Sequence, residues 1–405
     1  MNDSPVQMPP SAFNTNWFWR AVPAGMRRRW WLFRPLDLIA RHWPLFKARR
    51  GLAVVRMDGI GDMVLFRGAL DHYAEAFDVE QKDITVVGCH SWCGLASEIF
   101  KGYAVITINE HAYAKKLFYR FAVNLKMRHL APAVVVSDAY FRRALMADSL
   151  VWAMAPAKSY VSYPYINEPT RSEYAFYMSG VDRVVDTGPY PTHELDRHAR
   201  FVSYFAGKKI APGVPDLNWP EPVRPLVTGC YVVLNPGSNE YGRRWPLENY
   251  LALATWLKAR GLTAVFVGKA DERATGTLIT DLADDERIID LTGKTNVAQL
   301  LDLMKKAALV ISNDTGPAHL AIGLGAATVV IIGGGHFGCF VPYPKHVTPE
   351  NVRFVYHKMD CYHCFWRCHK RDDKFQSFPC VAAVSKDAVR RACLEVLPER
   401  IGSVL

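Results

Sequence analysis

The sequence predicts an α/β protein built from two sheets of parallel strands. Short apolar runs alternate with helical segments along most of the chain, which is typical of strands buried on both faces. The alternation stops in a stretch rich in Pro and Gly and then restarts. A length of 405 residues agrees with this pattern, because it exceeds what one hydrophobic core normally holds. We therefore expect two domains, each with its own parallel sheet.

The first region of alternation begins at residue 51. Its strand candidates are short apolar runs with helical stretches between them, at residues 52–57, 83–88, 104–109 and 133–138. We assign residues 51–206 to the first domain. The segment 207–229, which is rich in Pro and Gly, is interpreted as an interdomain linker.

The alternation restarts after this linker. Strand candidates lie at residues 231–237, 263–269, 287–293, 308–314 and 327–334, with helices near 247–260, 271–284, 296–307 and 316–325. The second domain is assigned to residues 230–384, followed by a helical segment at 385–405. A ligand of such a protein should lie at the carboxyl ends of the strands, in the cleft between the halves.

Composition and charge narrow the class of protein. Half of the residues are apolar and 22% are charged, as in globular proteins. The formal net charge of +10 favours an anionic partner: a phosphorylated substrate, a membrane surface or a nucleic acid. No apolar run approaches the roughly 18–20 residues that a membrane-spanning helix needs. Nine cysteines, an odd number, without a cleavable leader argue against a secreted disulfide scaffold. We expect a cytoplasmic protein.

Residues 1–50 differ from the rest of the chain, because they interleave five tryptophans with many arginines. Such residues favour the headgroup region of an anionic bilayer, and we interpret this extension as a docking segment for a membrane surface. The alternative is a helical extension that packs its tryptophans on the protein's own body. Pro23 and Pro35 are expected to break any long amphipathic helix.

The first polar motif, VVRMDGIGDMVLFRGAL at residues 54–70, follows a predicted strand. Gly59 and Gly61 allow a sharp turn and close approach of the backbone to a ligand. Asp62 opens the next helix. It is either a helix cap or a carboxylate that the helix terminus keeps ionised, which suits a general base acting on a hydroxyl.

The second motif, LNPGSNEYGRRWPLENY at residues 234–250, combines a Gly/Ser loop with two arginines and a helix start. Ser238, Arg243 and Arg244 are good groups for an anion in this setting. The alternative is a solvated basic loop.

The third motif begins SNDTGPAHLA at residue 312. Asp314 or Thr315 can cap the helix that starts at Gly316 or Pro317, and the remaining N–H groups would still face the cleft. Thr315 adds a hydroxyl and His319 a donor for a phosphate or a sugar, while Gly316 permits close approach. The alternative for His319 is ordinary packing.

Two further strings have weaker signals. GGGHFG at residues 333–338 formally matches G-x-G-x-x-G, but the three prolines that follow cannot open a helix, so we interpret it as a flexible cleft loop. In the segment 361–380, the cysteine spacing fits a structural zinc site or, less well, an iron–sulfur cluster. Free thiols or disulfides are the alternative. The four cysteines are Cys361, Cys364, Cys368 and Cys380.

Taken as an ordered set, these motifs resemble glycosyltransferase family 9, the heptosyltransferases of lipopolysaccharide core synthesis and their relatives. The matching pieces are RMDGIGDMVL, NPGSNEYGRRWPLENY, FVGKADE and SNDTGPAHLAIGLGAATVVIIGG, and the resemblance extends over about residues 51–397. It implies a GT-B fold, in which two Rossmann-like domains with parallel sheets face each other across a central cleft. It also implies that the last helix returns to the first domain.

The resemblance also implies an activity. Family members transfer a sugar, typically heptose from an ADP-linked donor, with inversion and without a required metal. Asp62 matches the catalytic base, and Glu272 lies near a donor-contacting acid. The positions that match the donor-binding motifs are Arg243, Arg244, Asp314, Thr315, Gly316 and His319. The expected partners are a nucleotide-sugar donor similar to ADP-heptose and a lipopolysaccharide-core or other glycan or lipid-linked acceptor. A nucleic acid is not expected.

Two departures from the family pattern affect these expectations. Arg243 stands where the family often has Lys, which changes the geometry of the cation. Residues 1–50 lie outside the pattern and would suit docking at the inner leaflet, beside a lipid-linked acceptor. Basic residues of the first half are candidates for acceptor contacts: Lys115, Lys116, Arg120 and Arg142. The alternatives are a nucleotide-dependent oxidoreductase, or a non-enzymatic adaptor that binds zinc or membranes.

Overall fold

The computed structural model describes residues 30–167, 170–270 and 286–397. It contains two sheets, both built from parallel strands. No helix within the described ranges is long and apolar enough to cross a membrane. The helix expected near 271–284 lies outside the described residues.

The first sheet has the strand order β3-β2-β1-β4-β5-β6. Leu52 in β1 lies opposite Ile84 in β2 and Val134 in β4, which fixes the parallel register. The sequence predicted β1 to β4 but missed β5, which contains few apolar residues, and β6, which is only three residues long. The strands are β1 Leu52–Arg56, β2 Ile84–Cys89, β3 Ala104–Ile108, β4 Val134–Ser137, β5 Lys158–Ser162 and β6 Arg183–Val185.

The second sheet has the strand order β12-β11-β10-β7-β8-β9. Counted from its own first strand, each sheet has the order of a doubly wound nucleotide-binding fold. The predicted strands β7 to β11 are all present, and the additional strand β12 forms one edge. The strands are β7 Tyr231–Asn235, β8 Thr263–Phe266, β9 Ile288–Asp290, β10 Leu309–Asn313, β11 Thr328–Ile331 and β12 Val352–Val355.

Helices cover both sheets and bury the strands on both faces, as parallel sheets require. Every residue of β1, β7 and β10 is buried. The described helices are α1 Trp30–His42, α2 Ile60–Leu70, α3 Tyr73–Ala76, α4 Ala96–Ile99, α5 Glu110–Lys115, α6 Leu117–Leu130, α7 Ser149–Met154, α8 Arg171–Tyr177, α9 Glu194–Ala206, α10 Leu247–Lys258, α11 Val297–Lys306, α12 Gly316–Gly323, α13 Pro379–Ala382 and α14 Lys386–Val396.

Helices α2 and α12 pack against each other and join the two halves. The small residues of α12 make this contact close. A Cβ atom on Gly323 would lie 2.8 Å from Leu217 Cγ and 3.1 Å from Val64 Cγ1, so only glycine fits there. Leu217 belongs to the extended segment between the halves, and its N–H donates to the Gly323 carbonyl. The segment interpreted as a linker therefore packs against the second half.

Helix α1 packs on the first half, contrary to the expectation that Pro35 would break the helix. Proline has no N–H to donate a hydrogen bond to the carbonyl of the residue four positions earlier. For Pro35 the missing bond lies in the first turn, so the rest of α1 can continue. Asp37 is completely buried, and Arg120 donates to its two oxygens across 2.9 and 2.8 Å. Asn124 and Tyr177 also donate to Asp37. Residues 30–42 thus belong to the body of the protein.

Helix α14 differs from the expectation that the last segment returns to the first domain. It packs on β11 and β12 of the second sheet. Its apolar residues Val389, Ala392 and Cys393 are buried there beside Val329 and Ile331. The expected return is therefore not made by the described part of this segment, which ends at residue 397.

Candidate functional site

The carboxyl ends of the central strands of both sheets meet in one cleft. The loop after β1 leads into α2, and the loop after β10 leads into α12; both loops lie where the strand order of their sheet reverses. The amino ends of the two helices approach each other closely. A Cβ atom on Gly316 would lie 3.4 Å from Ile60 Cβ and 3.7 Å from the Gly61 nitrogen.

Asp62 lies in the first turn of α2 and is half-buried. Its Oδ2 atom accepts a hydrogen bond from the Gly59 N–H across 3.1 Å, as in a capping box. One carboxylate oxygen of Asp62 therefore takes part in capping α2, as one interpretation of the sequence expected. Capping holds the side chain in place and leaves the carboxylate at the amino end of α2, where the helix dipole interacts favourably with negative charge.

A buried ionic network lies behind Asp62. Arg56, at the end of β1, donates to Asp138 across 2.7 Å, and His198 Nδ1 lies 2.7 Å from the other oxygen of Asp138. All three side chains are at most 1% exposed. Burial alone would raise the pKa of Asp138, but His198 and Arg56 hold that pKa well below its usual range. Arg56 also lies over the Phe66 ring, which fixes its guanidinium further.

Two further buried carboxyls near Asp62 were not singled out from the sequence. Burial raises the pKa of Asp58 to about 7 and that of Glu194 to about 8, although Arg56 and Arg197 oppose the shifts. The charge of Asp62 contributes to both increases. Glu194 begins a helix far from the motifs in sequence, and no motif signal marks it.

His319 lies at the centre of the cleft, in α12. Asp314, Asp62 and Arg243 all act on its pKa electrostatically, so the cleft brings these four predicted residues together. Burial is the larger effect and lowers the pKa of His319, which keeps the ring neutral. A Cβ atom on Gly61 would lie 2.8 Å from His319 Cδ2, so glycine is required for this approach.

Tyr343 fixes the orientation of His319. Its hydroxyl lies 2.9 Å from His319 Nδ1, and the two rings stack with centroids 5.8 Å apart. This hydrogen bond leaves Nε2 of His319 as the ring nitrogen available to a ligand. Tyr343 was not predicted from the sequence, because it stands in an irregular Pro-rich segment without a recognisable motif.

The amino end of α12 is open. Thr315 occupies the N-cap position, but its side chain makes no cap hydrogen bond. Instead the Thr315 hydroxyl is within 3.3 Å of Asn235 Nδ2, and the same amide donates to Ser312 across 2.9 Å. The first N–H groups of the helix are therefore left for another acceptor, and they form a favourable place for an anion.

The loop after β7 brings Arg243 to this point. One Nη atom of Arg243 lies 3.2 Å from Asp314 Oδ2. Arg244 points elsewhere: its Nε and Nη2 atoms donate to the Ser238 carbonyl across 3.0 and 2.8 Å. The two arginines that looked alike in sequence therefore differ, and only Arg243 reaches Asp314.

Several buried polar atoms in and beside this loop have no hydrogen-bond partner among the described residues. They are Ser238 Oγ, Arg243 Nε, His336 Nδ1 and Trp366 Nε1. Buried polar groups are normally paired, so such a group of atoms marks a place that a polar ligand can complete. The sequence analysis did not identify His336 or Trp366 as site residues.

The remaining candidate site residues lie away from this cleft or outside the described residues. Arg120 and Arg142 form buried ion pairs with Asp37 and Asp148 and are structural. Lys115 and Lys116 are exposed on the first half. Glu272 lies outside the described residues.

The four cysteines of the segment 361–380 line one cavity, together with Gly334, Tyr362 and Trp366. All four are free thiols. In the described part of the chain, however, no three His, Cys, Asp or Glu side chains are grouped as a metal ion requires. The structural zinc site suggested by the spacing is therefore not supported, because the thiols share a cavity without forming a ligand set.

Comparison with known proteins finds similarity to glycosyltransferases, including over residues of this cleft. A sequence profile of glycosyltransferase family 9 (heptosyltransferase) matches residues 216–367, which include the Arg243 loop and α12. Lipooligosaccharide heptosyltransferase 2 of Haemophilus ducreyi is 24% identical over 300 residues, which are 67% of this chain and 80% of that protein. The Haemophilus influenzae protein of the same name is 30% identical over 115 residues, only 32% of its length.

Solved structures agree on the fold. A family 9 glycosyltransferase from Veillonella parvula superposes with a TM-score of 0.67 at 16% identity, covering 88% of this chain and all of that one. The Escherichia coli heptosyltransferase WaaC with ADP-2-deoxy-2-fluoro heptose superposes with a TM-score of 0.60 at 16% identity, covering 84% and 98%. The resemblance, the GT-B fold and the enzyme class of glycosyltransferase are confirmed.

Proposed function

We propose that this protein is an inverting glycosyltransferase. It transfers a heptose or a related sugar from an ADP-linked donor to a lipopolysaccharide-core or other lipid-linked acceptor. The observation that carries the proposal is the meeting of two helix amino ends in one cleft, with Asp62 on α2 and His319 and Arg243 across from it. The family match supports the sugar, and the ligand named for the WaaC structure supports the nucleotide.

Each half has its own task in the transfer. The donor diphosphate binds at the amino end of α12, where N–H groups, Arg243 and the Nε2–H of His319 can donate to it. Thr315, Gly316 and the orphaned Ser238 hydroxyl line the same place. Asp314 holds Arg243, and Glu272 and Arg244 are assigned lesser donor contacts by the resemblance alone.

The reaction is a single displacement. The acceptor oxygen forms a bond to the anomeric carbon of the sugar, and the bond from that carbon to the diphosphate oxygen breaks. The electron pair leaves with the diphosphate, and Asp62 takes the proton from the acceptor hydroxyl. Since the attack comes from the face opposite the leaving group, the configuration at the anomeric carbon inverts.

No metal ion is needed in this scheme. The leaving diphosphate gains negative charge, and the α12 amino end and Arg243 supply positive charge at that point. Groups that are already oriented in this way stabilise the transition state without reorganising. We propose that catalysis therefore proceeds without a divalent cation.

A screen of sugar nucleotides tests the proposal. The full chain is heated with ADP-, GDP- or UDP-linked sugars, and the unfolding temperature is recorded. We expect ADP-linked heptose to raise this temperature more than the others, because bound ligand stabilises the folded state. Failure of all the sugar nucleotides to stabilise the chain would contradict the proposal.

We further propose that the protein docks on the cytoplasmic face of the inner membrane through the outer face of α1 and the segment after it. Leu32 and Ile39 lie two turns apart and are 50% and 48% exposed, and Phe46 is 93% exposed. Exposed Lys47 and Arg50 add positive charge beside these apolar side chains. This combination suits a bilayer with anionic headgroups.

Deleting residues 1–50 would be a poor test, because it would remove the buried Asp37. The substitutions Ile39→Ser and Phe46→Ser leave Asp37 in place. We expect them to weaken sedimentation with anionic phosphatidylglycerol vesicles and not with neutral ones. Val223→Ser is the matched control, because Val223 is also 93% exposed but lies between the two halves. If Val223→Ser weakens sedimentation with anionic vesicles as much as the other two substitutions do, docking at this face is refuted.

A further inference from the structure

The cysteine-rich segment 361–380 is in direct contact with the loop that carries Arg243. The Phe378 N–H donates to the Gly242 carbonyl across 2.6 Å, and the Ser377 hydroxyl donates to the Arg244 carbonyl across 2.6 Å. Arg371 donates to the Glu240 carboxylate across 2.9 Å. These bonds flank the Arg243 position on both sides, so the segment supports this loop along its length.

Trp366 of the same segment contacts the Arg243 side chain itself. The guanidinium carbon lies 4.1 Å from the centroid of the indole ring, which is the geometry of a cation–π contact. Asp314 binds the same guanidinium from its carboxylate at 3.2 Å. Arg243 is thus held by one charge and one aromatic face, while its Nε has no partner among the described residues.

The backbone around Trp366 is arranged to place the ring there. Phe365 and Trp366 have φ values of 55° and 60°, a left-handed conformation that is costly for residues with side chains. The Phe365 N–H donates to the Gly335 carbonyl across 2.9 Å. A Cβ atom on Gly335 would lie 2.1 Å from Trp366 Cδ2, so only glycine admits the ring.

This contact also explains the run Gly333–Gly335, which the sequence analysis interpreted as a flexible loop. All three glycines are buried. A Cβ atom on Gly334 would lie 2.2 Å from Tyr362 Cδ1, and one on Gly333 would lie 2.8 Å from Val381 Cγ2. The run is therefore a packing surface for the cysteine-rich segment.

We propose that Trp366 is a positioning residue for donor binding, which acts by holding the Arg243 guanidinium against Asp314. The proposal rests on the proposed function, since it concerns the same site. It accounts for arginine at a position where the family often has lysine. A planar guanidinium stacks on an indole face, and a lysine ammonium has no plane to stack. The cysteine-rich segment is then a wall of the donor site.

The test measures the affinity of the full chain for ADP by isothermal titration calorimetry. We expect Trp366→Leu to weaken ADP binding about three- to thirty-fold, the range of cation–π contacts. Trp366→Phe keeps an aromatic face and should restore affinity to within about threefold. Trp256→Leu is the matched control, because Arg260 lies 4.2 Å from the Trp256 ring centroid on the opposite end of α10. We expect that control to bind ADP normally.

A double-substitution cycle separates positioning from a merely structural role. In an Arg243→Ala background, Trp366→Leu should cause no further loss of ADP affinity, because the residue through which it acts is gone. An equal loss in both backgrounds would overturn the proposal and indicate a general effect on folding. Unfolding temperatures measured without ligand report any such effect directly.

The outcomes also distinguish this proposal from the proposed function. If the unsubstituted chain binds neither ADP nor an ADP-linked sugar, the proposed function fails and the inference fails with it. If the unsubstituted chain binds and Trp366→Leu binds equally well, the inference alone is overturned. The proposed function and the inference are both supported if Trp366→Leu weakens ADP binding by itself but causes no further loss in the Arg243→Ala background.

Discussion

Arg56 and Arg243 show how the halves of the cleft differ. Arg56 is the last residue of β1, and Arg243 lies in the loop after β7. Arg56 is 1% exposed and pairs with Asp138 and Asp58. The Arg243 side chain is 25% exposed and, among the residues that the structure describes, makes one longer ion pair, with Asp314. The same residue type, in or after the first strand of each of two similar sheets, thus has a closed environment in one half and a more open one in the other.

The difference shows which charged groups of such a fold hold the structure and which are available to a ligand. The buried charges around Arg56 compensate one another, so removing one leaves another buried and unpaired. Both arginines have an Nε atom without a partner among the described residues, but only the Arg243 side chain is partly exposed. These environments fit the proposed division of tasks, in which the first half supplies a rigid support for Asp62 and the second half supplies the groups that take up the donor.

The largest expected effect on stability comes from breaking the Arg56 network. Arg56→Met should lower the free energy of unfolding by about 3–5 kcal/mol, because it leaves Asp138 buried without its ion pair. Urea denaturation followed by circular dichroism measures this change. The control is Arg353→Met, which removes an exposed pair with Glu395 and should cost under about 1 kcal/mol. Equal effects of the two substitutions would contradict the comparison.

Arg243 should show the opposite behaviour. Arg243→Ala is expected to change the free energy of unfolding by under about 1 kcal/mol, because the side chain is partly exposed. It should weaken donor binding about tenfold to a hundredfold, since hydrogen bonds to charged groups contribute about 1.5–3 kcal/mol. Calorimetry with an ADP-linked sugar measures this loss. The control is Arg260→Ala, which should bind the donor normally. If Arg243→Ala destabilised the fold as much as Arg56→Met does, the distinction between a structural and a ligand-binding arginine would be refuted.

The smallest expected effect is that of removing the Tyr343 hydroxyl. Tyr343→Phe keeps the stacked ring but deletes the hydrogen bond to His319, and it should lower kcat/KM for transfer about two- to tenfold. The matched control is Tyr103→Phe, which removes a hydroxyl bonded to Asp71 on the first half. If both variants keep full activity, Tyr343 does not orient His319.

The fold could be predicted from the sequence where apolar runs are long. β1 to β4 and β7 to β11 were recognised, because parallel strands that are buried on both faces are continuous apolar segments. β5, Lys158–Ser162, was missed because it contains only two apolar residues, and β12 is a short edge strand. The sequence left open whether α1 packs on the body of the protein, because its partners, Arg120 and Tyr177, are far away in sequence.

The site was predictable where it is made of local motifs. Asp62, Arg243, Asp314 and His319 were all singled out, and the structure brings them into one cleft. Tyr343, His336 and Trp366 were missed, because their roles depend on contacts between segments that no spacing reveals. Arg243 and Arg244 could not be told apart for the same reason, since the bonds of Arg244 to the Ser238 carbonyl are visible only in three dimensions.

The division of tasks between the halves is tested most directly with Asp62→Asn. The variant keeps the size of the side chain and its cap, but it cannot accept a proton as a carboxylate does. In the same preparation, donor affinity is measured by calorimetry and transfer by product formation. We predict that affinity stays within about threefold and that transfer falls at least about a hundredfold, the range of general-base catalysis. Transfer that remains within about tenfold of the unsubstituted chain would contradict the account.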